Sequence, residues 1–194
     1  MANPKPDVPI LAFSSAEGWE TWLSAEYATS NGMWLKLAKK GTGIASVSKS
    51  EAIDTALCYG WIDGQLDKFD ECYWLVRFTA RKPGSKWSQI NRDRATALIA
   101  QSRIRPAGMF EIERAKADGR WDAAYAPQST ATVPNDLRIA LGLAPDALRM
   151  FDRLDSANRY AILHRLHNAK GAKTRRRGSK NSSRCWFGAR PFIR

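Results

Sequence analysis

The run Tyr73-Trp74-Leu75-Val76-Arg77-Phe78-Thr79 sets the strongest limit on the fold. It is rich in aromatic and β-branched side chains and holds no glycine or proline. Such a stretch favours an extended backbone, which needs a partner strand and an apolar surface to lie on. A hairpin is expected, with Leu66–Glu71 near its turn and Gly60 and Gly64 bracketing Trp61-Ile62-Asp63 upstream. Pro83-Gly84 ends the second strand. A further strand is expected at Met33–Ala38, where apolar and polar residues alternate.

The rest of the chain reads as helix. Ser14 and Glu17 have capping-box spacing ahead of Trp19, Trp22 and Leu23, in a helix that stops near Asn31-Gly32. Lys39–Gly43 is a basic, glycine-flanked turn. Ser48 and Glu51 open a helix through Ala52, Ile53, Ala56 and Leu57 to about Tyr59. Ser88, or Ser85 before it, caps a helix through Ile90, Ala97 and Leu98 to about Ser102. Pro106 suits the first turn of a helix carrying Met109, Ile112 and Ala115 and stopping near Gly119, with Trp121, Ala124 and Tyr125 extending the packing. After a Pro/Ser/Thr-rich linker at 127–133, Thr132 caps and Pro134 starts a helix with Leu137, Ala140 and Leu141. Pro145 starts the next, with Leu148, Phe151 and Leu154, and Asp155 or Ser156 caps a last one with Tyr160, Leu163 and Leu166. The fold class is therefore α+β. A mostly helical domain with a small antiparallel sheet spans 10–126, and a helical module spans 134–177. Residues 1–9 form a flexible lead-in and 178–194 a disordered tail.

Charge needs to be read by region. The net charge is +12, the balance of a nucleic-acid or anionic-surface binder. Yet residues 171–194 hold eight Lys/Arg and no Asp/Glu, which leaves the preceding 170 residues at only +4. The tail carries most of the signal. No stretch approaches the length of apolar sequence that a membrane span needs. The start, MANPKPDVPI, lacks an apolar run behind a basic segment, so no secretory leader is expected. Cys58, Cys72 and Cys185 are too few and too irregular for a disulfide framework and read as reduced thiols of a cytoplasmic protein.

Chemistry concentrates between Gly60 and Arg94. Asp63 and Gln65 lie beside Trp61, and Arg77, Arg81, Lys82 and Lys86 gather near Trp87 and Asn91. Arginine forms bidentate bonds to phosphate or carboxylate and tryptophan offers a stacking face, so these residues form a candidate cradle for a small anion or nucleic acid. The alternative is a hairpin whose aromatic side packs on helices while its charges are solvated. Asp63 could serve as a general base in an enzyme, but it has no partner carboxylate. His164 and His167 lie three apart without a third ligand, so no metal is expected. Cys58 reads as a core residue. There is no glycine-rich phosphate loop, Gly41-Thr42-Gly43 being too short, and no cofactor is expected.

Five segments carry a resemblance to a known family: FSSAEGWETWL, GMWLKLAKKGTGIASVSKSEAIDTALCYGWIDGQ, YWLVRFTARKPGSKWSQINRDR, AKADGRWDAAY and VPNDLRIALGLAPDALRMFDRLDSANRYAILHRLHNAK. Over Phe13–Lys170 the chain resembles the YdeI/OmpD-associated proteins. The resemblance implies a role in tolerance of bacteriocins or cationic antimicrobial peptides, and it supplies no catalytic residues. It implies a protein that is not an enzyme and that works with an unknown protein partner or a small anionic ligand. It also bears on the tail. The family continues past Thr174-Arg175-Arg176-Arg177 with an amphipathic helix and a short Gly-Glu ending, whereas this chain reads GSKNSSRCWFGARPFIR. Translated from the third base of suitable codons, that stretch becomes IEKFVAMLVRGETIHP, which resembles the family's ending. Part of this is forced: Cys-Trp-Phe in the shifted frame can only give Leu-Val. The coding frame is expected to have shifted near Arg177.

Overall fold

The computed structural model describes residues 8–169. The expectations for residues 1–7 and the expected frame shift and tail at 178–194 lie outside the described residues. The chain divides into two compact units, one ending at Ala124 and the other starting at Tyr125.

The first unit is α+β. Its strands are β1 (Ile10–Ala12), β2 (Met33–Ala38), β3 (Trp61–Lys68) and β4 (Tyr73–Ala80), in the order β1-β2-β4-β3. β4 pairs antiparallel with both β2 and β3, but β1 runs parallel to β2, so the sheet is mixed where an antiparallel one was expected. The reason is the connection: α1 (Ala16–Glu26) carries the chain from β1 back to the same end of the sheet, a crossover that only parallel neighbours need. β1 starts at the boundary of the expected lead-in, and Pro9 already accepts the Trp34 N–H at 2.8 Å. Three residues are too few to show a period in sequence.

Met33, Leu35 and Leu37 of β2 and Val76 and Phe78 of β4 point to one face. There they meet Trp19 and Leu23 of α1 and Ala52, Ala56 and Leu57 of α2 (Lys49–Cys58). Trp19 is fully buried and its indole N–H donates to Ala52 O at 3.0 Å, so this bulky core side chain is also hydrogen-bonded. α3 (Gln89–Ala100) and α4 (Pro106–Ala117) complete the unit through Ala95, Leu98, Ile112 and Ala115. Ile90 is 48% exposed and lies outside this core, contrary to the periodic reading.

Local signals explain most boundaries. Ser48 and Glu51 form both halves of a capping box, and Ser88, not Ser85, caps α3. α1 is capped by Ser15 rather than Ser14 and ends at Glu26, short of Asn31-Gly32. Past that end the Trp61 indole N–H donates to the Tyr27 carbonyl at 3.1 Å, satisfying an acceptor the helix leaves open. The hairpin also differs. Leu66–Lys68 still belong to β3, and Asp63 sits in that strand at a bulge, not in a glycine-bracketed turn.

The second unit holds α5 (Asn135–Gly142), α6 (Pro145–Arg153) and α7 (Ser156–His167). Leu137, Leu141, Ala147, Phe151, Ile162, Leu163 and Leu166 form its core. Pro134 is the N-cap of α5, where Thr132 was expected, while Asp155 caps α7 through the Asn158 N–H at 2.7 Å. No helix among the described residues is long and apolar enough to cross a membrane.

Candidate anion-binding cluster

The C-terminal turn of α2 meets the first turn of α4 backbone to backbone. A Cβ on Gly108 would stand 2.3 Å from the Cys58 carbonyl oxygen, and one on Gly60 2.9 Å from that of Ala107. The Arg105 N–H donates to Cys58 O at 3.0 Å across the same contact. Gly60 also has φ of +73°, a left-handed conformation that favours glycine. This close approach places Glu111 beside Gly60, with its Cγ 3.1 Å from where a Gly60 Cβ would be. The Gly60 carbonyl in turn accepts the Arg81 N–H at 3.0 Å. One glycine thus fixes both an acid on α4 and an arginine at the end of β4.

Arg81 is only 5% exposed. Its guanidinium lies 3.7 Å above the Trp87 ring, and its Nη1 donates to Lys86 O at 3.1 Å. Trp87 is buried and packs edge-on against Trp121 with centroids 4.8 Å apart. Beyond α4, Gly119 at φ +76° reverses the chain and brings back Arg120. Arg120 Nε donates to the Asp118 carboxylate at 2.7 and 2.8 Å, and its Nη1 donates to Ser85 O at 2.6 Å. Arg114 pairs with Glu111 one turn away on α4.

Burial pushes the Glu111 carboxyl above the usual carboxylate range, against the pull of Arg114, Arg81 and Arg120. Hydrogen bonding to Arg120 holds Asp118 below that range. The charges of three guanidiniums therefore act on one half-buried carboxylate, with a second acid engaging Arg120. Among the described residues, the buried Nε of Arg114, Nη2 of Arg120 and Nε1 of Trp87 have no hydrogen-bond partner. Each unmade bond of this kind costs about 1–3 kcal/mol. An oxyanion, which only accepts, is the group whose chemistry matches such a set of donors.

The residues expected to form one cradle are spread over several places. Arg81 and Trp87 belong to the cluster. Lys86 contributes its carbonyl, while the Lys82 and Lys86 side chains are on the exposed loop between β4 and α3. Trp61 is fully buried in the core, so it has no face for a ligand. Arg77 lies on the sheet face away from the helices, over Trp34 at 6.0 Å. Gln65 is exposed on the β3 bulge, and Asn91 is in the first turn of α3, its N–H bonded to Ser88 Oγ. Asp63 faces Lys49 Nζ at 4.0 Å.

Glu111, Arg114, Arg120 and Trp121 were not singled out as site residues from sequence. One signal was present. Gly108, Ile112 and Ala115 form the buried stripe of α4, and Glu111 occupies a position of that stripe. A carboxylate in an apolar stripe needs a cation nearby, and Arg114 follows at i+3.

Two family models match the chain. One, described as "Domain of unknown function (DUF8412)", covers residues 11–111. The other, described as "Bacteriocin-protection, YdeI or OmpD-Associated", covers residues 130–177. No curated protein and no solved structure matches.

Proposed function

The chain belongs to the family described as a domain of unknown function (DUF8412), and from that footing we propose a non-enzymatic role in tolerance of bacteriocins or cationic antimicrobial peptides. The observation that carries this reading is the match of residues 130–177 to the bacteriocin-protection model. Its action is indirect, through a partner or a bound ligand. Outside residues 171–194 the chain is net +4, and like charge disfavours encounter with a cationic peptide. The test is a peptide-killing assay in a strain lacking the gene. It is complemented by the chain as written, by a version continuing after Arg177 as IEKFVAMLVRGETIHP, or by empty vector. Protection by the restored version is expected, and protection by neither version overturns the reading. Tight stoichiometric capture of polymyxin by purified protein truncated after Lys170 would overturn the indirect mechanism.

A second reading is favoured by Arg81, Arg114 and Arg120, whose charges all act on Glu111: binding of a small anion at these arginines beside Trp87. Burial of Arg81 favours a small ion over a nucleic-acid backbone, which needs exposed cations. Calorimetric titration of the protein with sulfate and phosphate is expected to show binding that is lost in Arg120→Ala. Binding that survives this change but disappears on removal of residues 171–194 would place it in the tail.

A further inference from the structure

The basic turn Lys39–Gly43 is absorbed by neither reading above. It leaves the end of β2, and its form is set locally: both the N–H and the Oγ1 of Thr42 donate to Lys39 O, at 3.4 and 2.9 Å. Gly41 and Gly43 take φ of +85° and +70°, with nothing within 4 Å of where a Cβ would be. The chain then returns along the end of β2, where the Ala38 N–H donates to Ser46 Oγ at 3.1 Å, before entering α2. A loop pinned at both ends and lacking side chains at its glycines borders an open cleft of about 450 Å³. That volume is in the range of small-molecule sites.

The chemistry of the walls is one-sided. Lys39, Lys40 and Lys49 line the cleft, and no residue lining it is acidic. Lys39 Nζ donates to the Asp70 carbonyl at 2.7 Å, which anchors this ammonium to the β3–β4 turn at the cleft's edge. Lys49 Nζ stands 4.0 Å from Asp63 and 5.8 Å from the Trp74 ring centroid, which ties a second cation to the aromatic wall. Trp74 is half-buried and lies opposite Leu37 in the β2–β4 register, so the sheet fixes its ring. Cations of one sign in a concave site focus potential on an anion, and left-handed glycines leave backbone N–H groups accessible to it. The indole supplies a flat apolar surface.

We propose that this cleft binds a small organic phosphate carrying a flat ring, with the ring against Trp74 and the phosphate among Lys39, Lys40 and Lys49. The site is separate from the arginine cluster and does not depend on the tolerance reading. Asp63 acts here as a positioning residue for Lys49.

The test is calorimetric titration of the full chain with the four ribonucleoside monophosphates and flavin mononucleotide, alongside the matching nucleosides, riboflavin and inorganic phosphate. At least one ring-bearing phosphate is expected to bind more tightly than both its dephosphorylated form and inorganic phosphate. Lys40→Ala changes an exposed position and Lys49→Ala a half-buried one, and neither side chain belongs to the core. Each is expected to weaken that binding about tenfold, the scale of one charged hydrogen bond. Trp74→Phe should retain binding and Trp74→Leu should lose it, with thermal unfolding confirming that both fold. Arg120→Ala should leave it unchanged. The proposal is overturned if none of the five phosphates binds more tightly than inorganic phosphate. It is equally overturned if the nucleoside binds as well as its phosphate, or if binding survives both lysine changes.

Discussion

Replacing Gly108 by alanine adds one methyl group to the first turn of α4. Judged by helix propensity alone, the change should stabilise the protein by about 1 kcal/mol. The tertiary structure reverses the sign. The new methyl carbon would stand 2.3 Å from Cys58 O, 2.7 Å from Leu57 O and 2.8 Å from the Cys58 carbonyl carbon. These are backbone atoms and cannot swing aside, so α4 must retreat by about 1 Å to reach ordinary carbon–oxygen contact. That movement breaks the bond from Arg105 N–H to Cys58 O, now 3.0 Å, a loss of about 1 kcal/mol. It also strains the seating of Ile112 and Ala115 in the core, a cost of about 1–3 kcal/mol for overpacking. Against the gain of about 1 kcal/mol, the net expectation is destabilisation by about 1–3 kcal/mol. Urea unfolding followed by tryptophan fluorescence and by calorimetry would measure it. Gly142→Ala is the matched control, because nothing lies within 4 Å of its Cβ position in α5, and it should stabilise the second unit slightly. A Gly108→Ala protein as stable as the parent, or more so, would refute the reasoning.

Three further outcomes are expected. Arg81→Lys keeps the charge but loses the planar stack on Trp87 and the bond to Lys86 O, and should cost about 1–2 kcal/mol, measured by urea unfolding. Ser48→Ala removes one half of the α2 capping box and should cost about 1 kcal/mol, with no cost counting against the capping account. The pH dependence should have two opposed parts. The folded-state pKa of Glu111 is raised, so its contribution to stability is present below the ordinary carboxylate range and is lost as pH rises through the raised value; Glu111→Gln should remove that decline. Asp118 and Asp155 are lowered by hydrogen bonds to Arg120 and to the Asn158 N–H respectively. Their contribution is present above the ordinary range and is lost as pH falls through the lowered values. Urea midpoints across acid to neutral pH separate the two, and an unchanged upper slope in Glu111→Gln would refute the first.

The site was less legible than the elements that build it. Arg81 and Trp87 stand out because basic and aromatic residues cluster around the hairpin. Their partners Glu111, Arg114 and Arg120 lie some thirty residues further on, and only the odd position of Glu111 in the α4 stripe marks them. Trp61 misleads in the same way that Arg81 informs. Both are prominent in the sequence, but one indole is spent on the Tyr27 carbonyl inside the core and the other group faces a tryptophan. The Lys39–Gly43 turn looks too short to matter until Trp74, brought beside Leu37 by strand pairing, gives it an opposing wall.

Sequence by itself determined what depends on neighbours along the chain. The cap at Ser48, the start of α4 at Pro106 and the strands β2 and β4 follow from spacing, propensity and ring geometry within a few residues, while the caps of α3 and α7 were narrowed to Ser85 or Ser88 and to Asp155 or Ser156. Tertiary structure decided whatever needs a distant group. It set the parallel pairing of three-residue β1, the bond of the Trp61 indole to the Tyr27 carbonyl past the end of α1, and the contact of Gly60 with α4 that puts Glu111 beside the end of β4. The physical reason is the same in each case. A backbone hydrogen bond, a van der Waals limit or a Coulomb interaction acts over a few ångströms, and only folding determines which remote residue stands at that distance.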